Sequence, residues 1–134
     1  GGNVGVGKTN PSTTLDVDGT ITGTTKNFSI PHPTKPEKRL IHSCLEGPEN
    51  GVYVRGKLTD STVIELPEYW TGLVHEDSIT VTLTPIGSAN VHYIVEVTDN
   101  RVVIGSESGT INCYFSVFGE RKDVERLVTE VPEA

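Results

Sequence analysis

Ser78-Ile79-Thr80-Val81-Thr82-Leu83-Thr84-Pro85-Ile86 is the stretch that decides the fold class. Ile79, Val81, Leu83 and Pro85 fall on one face and Thr80, Thr82 and Thr84 on the other. That period of two belongs to a half-buried β-strand, not to a helix. On its C-terminal side, Val91–Thr98 carries Val95 and Val97 in alternation with Glu96. Asp99-Asn100 then separates it from Arg101–Ile104, as a hairpin turn does. Ser106–Gly109 reads as a second hairpin turn, leading into Thr110–Gly119. On the N-terminal side, Leu40–Leu45, Val52–Leu58 and Thr62–Leu66 read as strands. One helical turn is expected at Pro67-Glu68-Tyr69-Trp70, with Pro near its start and Gly72 at its end. Seven short strands with turn signals at near-even spacing predict an all-β domain, an antiparallel sandwich or barrel.

The flanks differ from this centre. Residues 1–25 (GGNVGVGKTNPSTTLDVDGTITGTT) hold no aromatic residue. Val4 and Val6, then Leu15 and Val17, then Ile21 alternate with small or polar residues, and Asn10-Pro11 and Asp18-Gly19 mark turns between them. These pieces are too short to bury an apolar face alone, so the segment is expected to be extended and covered by copies from other chains. It also starts in mid-pattern, which implies a piece of a longer chain. After Phe28 and Ile30, the prolines at 31, 33 and 36 predict an ordered loop or edge. Residues 122–134 read as a turn or two of helix or an extended tail. The division is therefore 1–25 extended segment, 26–121 globular β domain, and 122–134 tail.

Composition narrows the function classes. The chain has 134 residues, 34% of them hydrophobic, no Met, 14 Gly and 8 Pro. Such a chain builds only a thin core, and oligomerisation is a usual remedy. The net charge is −7. Its only basic clusters, Lys35–Arg39 and Arg121-Lys122, contain or adjoin acids, which argues against a nucleic-acid partner. No apolar run of about 18 residues is present, so no membrane insertion by a helix is expected. Cys44 and Cys113 are too few for a disulfide framework. A buried, reduced pair is the default expectation, with one bridge as the alternative.

Three patterns invite an enzymatic reading. Gly2-Asn3-Val4-Gly5-Val6-Gly7-Lys8-Thr9 satisfies the phosphate-loop pattern GxxxxGK[ST]. That chemistry needs a buried strand before the glycines and a helix after them. Here Asn10-Pro11 and a Thr-rich stretch follow instead. Asp16-Val17-Asp18-Gly19-Thr20 spells a DxDGT phosphatase signature, whose nucleophilic Asp requires an α/β fold that this pattern does not predict. His42-Ser43-Cys44 places an imidazole and a thiol on one strand face. Its apolar flanks favour a structural pair. The four histidines, His32, His42, His75 and His92, lack a close ligand spacing, so no metal and no cofactor is expected; the alternative is a metal held on a trimer axis by one histidine from each of three chains. Chance carboxylate pairs of glycosidase type remain the enzymatic alternative.

Two segments resemble a known family. Val4-Gly5-Val6-Gly7, Pro11-Ser12, Leu15-Asp16-Val17 and Gly19-Thr20-Ile21 are similar to the repeat that precedes the C-terminal domains of phage tail fibres. Lys26 to Pro33, Leu40 to Glu49, Val52 to Gly56, Ile64 to Trp70 and Val81 to Gly87 resemble a domain near the C-termini of phage and large-virus fibre proteins. The resemblance implies a virion-associated, intertwined homotrimer with a threaded shaft. Its implied partners are other copies of itself and other virion or fibre proteins. It carries no catalytic site and no ligand.

The expected function is therefore a non-enzymatic structural module of a fibre that supports host attachment. The alternative is a glycan- or receptor-binding tip. Sugars stack on exposed aromatics beside polar groups, and Trp70, Tyr69, Tyr53 and His75 are the candidates for such a site. The competing reading places Trp70, the only Trp, in the core above a helical turn.

Overall fold

The computed structural model describes residues 2–133. Its first strands, β1 (Val4–Val6) and β2 (Leu15–Val17), form a parallel pair in which Val4 stands opposite Leu15 and Val6 opposite Val17. The chain leaves β1 through Gly7, whose φ of 75° is open to glycine at no steric cost. The amide of Asp18 donates to the Val6 carbonyl (2.9 Å) and closes the loop.

Next come β3 (Asn27–Pro31) and β4 (Arg39–Ser43), an antiparallel pair. Pro31 ends β3, which pairs only with β4 and so leaves an open edge, the setting in which a strand tolerates proline. The proline-rich connection is ordered by His32, whose Nδ1 accepts from the amides of Thr34 (3.2 Å) and Lys35 (2.9 Å).

Two three-stranded antiparallel sheets follow, built from β5 (Gly51–Thr59), β6 (Val63–Glu65), β7 (Thr80–Pro85), β8 (His92–Val97), β9 (Arg101–Ser106) and β10 (Asn112–Glu120). One has the order β5-β10-β7 and the other β6-β9-β8. Between β6 and β7 lie a single helical turn, α1 (Trp70–Leu73), and a 3-10 turn at Glu76–Ser78. The molecule is mostly β.

The alternation in β7 is as the sequence predicts: Val81 and Leu83 turn inward while Thr80, Thr82 and Thr84 are exposed. Both sheets feed one core. Val52, Cys113 and Val117 come from the first, Ile64, Val102 and Ile104 from the second, and Trp70, Leu73 and Val74 fill the space beside them. Gly119 matters here. A Cβ at that position would run into Val74 Cγ1 and lie 3.4 Å from the Trp70 ring, so only glycine lets α1 settle against β10.

Several expectations need correction. Ser106–Gly109 is a turn, with Gly109 at φ 82°, yet it is not a hairpin. Both edges of β9 are already taken by β6 and β8, so the chain crosses to the other sheet and inserts β10 between β5 and β7. Val95 does not share a face with Val97. The β8–β9 register shifts between Ile94 and Glu96, and the bulge leaves Val95 exposed. The helical turn starts three residues later than Pro67, with Gly72 inside it and against Pro33. Cys44 and Cys113 are not a buried pair: both are free, Cys44 is exposed, and Cys113 sits in the core. After Arg121, the described residues form an exposed segment with no helix and no strand.

Candidate functional site

The β3–β4 hairpin meets the entry to α1 through a stack of rings. Phe28 and His42 are directly opposite in the ladder, and their rings lie 5.1 Å apart. The Arg121 guanidinium covers the Phe28 ring at 4.3 Å, a cation–π contact. On the other side His42 meets the edge of Tyr69 at 5.8 Å, and His32 meets Tyr69 at 5.6 Å. His42 Nε2 and the Tyr69 hydroxyl are 3.2 Å apart and form a hydrogen bond.

The electrostatics follow from this packing. Partial burial, together with the nearby Arg121 charge, lowers the His42 pKa below its ordinary value and keeps the ring neutral. Burial raises the Tyr69 pKa, so its hydroxyl stays protonated. His42 directs Nε2 to Tyr69 and not to Cys44. The imidazole–thiol arrangement that the sequence allows is therefore replaced by an imidazole–phenol contact.

Beside this stack lies a groove of about 420 Å³, lined by His42, Ser43, Cys44, Leu45, Gly51, Val52, Tyr53 and Tyr69. Of the four residues expected at a binding site, it gathers two, Tyr53 and Tyr69. Trp70 is fully buried, with no ring face presented to a ligand. The reason is geometric: Trp70 begins α1, and α1 lies against Gly119 of β10. His75 follows α1 and precedes the 3-10 turn, where its amide donates to the Glu120 carbonyl (3.0 Å), and it does not line the groove.

Sequence reasoning missed three participants. Phe28 and Arg121 are 93 positions apart, and only the strand topology stacks them. Phe118 reaches Tyr53 across the β5–β10 ladder, with ring centroids 5.7 Å apart. A period-two reading puts Tyr53 and Phe118 each on the outer face of its strand. Register alone makes them neighbours.

The two phosphate-like signatures meet each other. Lys8 of the first places Nζ 2.8 Å from Asp16 Oδ2 of the second. The Ser12 amide and hydroxyl also donate to Asp16 Oδ2, each at 2.9 Å. The Lys8 contact, with the Ser12 bonds added, lowers the Asp16 pKa from 3.8 to about 2. The Lys and Asp that would face a phosphate thus staple β1 to β2. Among the described residues, no group of three or more His, Cys, Asp or Glu gathers as metal ligands would.

No protein-family model, no curated protein and no solved structure matches this chain. Its functional reading therefore rests on its own residues.

Proposed function

We propose that the chain is a non-enzymatic structural module of a viral or phage fibre: an intertwined homotrimer in which residues 1–25 form a shaft and the remaining strands a sandwich that supports host attachment. On this reading it resides in the virion appendage, with itself and other virion proteins as partners.

The observation that carries the proposal lies in the N-terminal segment. Val4, Val6, Leu15 and Ile21 are each 52–69% exposed on the single chain. Two paired strands of three residues do not hold together in water on their own. Covering one such side chain contributes about 1.5–3 kcal/mol. Three parallel copies wound about an axis supply that cover and leave the polar Thr and Asp residues outward. The parallel pairing also fits a winding path, since strands eleven residues apart in one chain run in the same direction.

The test is sedimentation velocity on the soluble chain and on a variant with Val4, Val6, Leu15 and Ile21 all replaced by Thr. The wild type is expected to sediment as a trimer and the variant to lose it. An unchanged sedimentation coefficient in the variant counts against a shaft-driven trimer.

A further inference from the structure

The outer face of the β5-β10-β7 sheet has a composition unlike the rest of the molecule. Outward positions of β5 are Tyr53, Arg55 and Lys57, all exposed. Across the ladder, Phe118 stands opposite Tyr53 and Tyr114 opposite Lys57. On the other side, Thr82 stands opposite Ser116, itself the partner of Arg55. Three aromatic rings, each 41–56% exposed, thus frame two cations and a row of hydroxyls. In a chain of net charge −7 this is an inversion of the average surface. Among the described residues, neither Arg55 nor Lys57 forms an ion pair. The carboxylate at the end of the same face, Glu120, is engaged by Arg126 at 3.1 Å.

We infer that this face binds an acidic saccharide, one bearing carboxylate or sulfate groups at intervals along neutral sugar rings. Tyr53 and Phe118 form one stacking platform. Tyr114, four residues before Phe118, lies about 13 Å away along the strand, so an oligosaccharide and not a single sugar spans the two. Between them Arg55 offers a planar fork that matches a carboxylate or sulfate in two parallel hydrogen bonds, and Lys57 adds a point charge. Thr82 supplies a hydroxyl that both donates and accepts, as sugar hydroxyls require.

Aromatics with Arg on a sheet face also suit single-stranded nucleic acid. The charge balance decides between them. A nucleic acid brings a phosphate at every step, and two cations on an acidic molecule do not compensate that density. A sparsely charged glycan matches two cations. The inference rests on the attachment reading, and a fibre that carries three copies of a weak site gains avidity from them.

The experiment is isothermal titration calorimetry of the full chain with four probes: a hyaluronan tetrasaccharide, with a carboxylate on alternate rings; a keratan sulfate tetrasaccharide, with about one sulfate per disaccharide; the neutral cellotetraose; and an eight-residue oligothymidylate. Each is repeated on Arg55→Gln/Lys57→Gln and on Phe118→Ala. Light scattering on every sample reports the oligomeric state independently. The inference expects binding of at least one acidic saccharide, with at least tenfold weaker binding of cellotetraose and oligothymidylate. It expects at least tenfold loss in both variants at unchanged mass. It is overturned if oligothymidylate binds best, if no acidic saccharide binds, or if the charge variant binds as well as wild type. It is also overturned if the charge variant dissociates the oligomer, which would make this face a contact between copies. A monomer that still binds acidic saccharide would sink the trimer proposal and leave this one standing.

Discussion

The Lys8 ammonium lies 2.8 Å from the Asp16 carboxylate and joins the two halves of the N-terminal ladder. Asp16 is also held by Ser12, and its folded pKa of about 2 lies below its ordinary value of 3.8. A group depressed in this way stabilises the fold above its unfolded pKa. That contribution is lost as pH falls through the window from about 3.8 to about 2. NMR titration of the Asp16 carboxyl carbon should give a midpoint near the lower value. In Lys8→Gln the midpoint should move up part of the way, because the Ser12 bonds remain. A wild-type midpoint at the ordinary value would mean that the staple does not form in solution.

His42 provides a second pH dependence with the same sign. Its folded pKa lies below 6.5, so the unfolded chain binds the proton first as pH falls. Stability is complete above about pH 6.5 and declines as pH drops toward the lowered folded value. Urea midpoints measured between pH 7.5 and pH 5 should therefore fall, and His42→Phe should flatten that decline. A midpoint that rises on acidification would contradict the neutral His42–Tyr69 pair.

Gly119 and Trp70 test the packing of α1 on β10. Gly119→Ala should destabilise by about 1–3 kcal/mol through overpacking against Val74. Gly47→Ala, in open space, should stay within about 0.5 kcal/mol. Trp70→Ala should cost about 3–5 kcal/mol. Trp70→Phe should cost less, since the phenyl ring keeps much of the buried apolar volume and the unpartnered indole Nε1 goes with either substitution. A loss in Trp70→Phe as large as that in Trp70→Ala, by urea denaturation, would show that a phenyl ring does not fill this part of the core.

The two cysteines should separate by reactivity. Cys44 is exposed, whereas Cys113 is buried with a raised pKa. A chromogenic disulfide reagent should titrate one thiol per native chain rapidly and the second only on unfolding. Two fast thiols would place Cys113 outside the core.

Local pattern carried the β class because period-two alternation is a property of each strand by itself. Val81 and Leu83 could be assigned inward with no knowledge of their partners. What local pattern lacks is pairing. Ser106–Gly109 has the residues of a hairpin turn, yet the occupied edges of β9 send the chain across to the other sheet. Val95 alternates correctly on paper, and a bulge set by the β9 register turns it out. The same limit governs the candidate site. Tyr53 and Tyr69 are legible as aromatics next to polar residues, but only Tyr53 is exposed, and Tyr69 packs half-buried against the core. Phe118, Arg121 and Phe28 were not, because their roles depend on neighbours 65 to 93 positions away. Trp70 reads in sequence both as a ligand candidate and as a core residue, and the structure places it in the core; adjacency to Tyr69 says nothing of which side of a helical turn meets the core.

The central claim is that the exposed apolar side chains of residues 1–25 are covered by two further copies of the chain. Light scattering coupled to size exclusion measures this most directly. The predicted mass is three times the 14.5 kDa of one chain, unchanged on dilution into the nanomolar range. A stable species of one chain mass, with residues 1–25 intact, would contradict it.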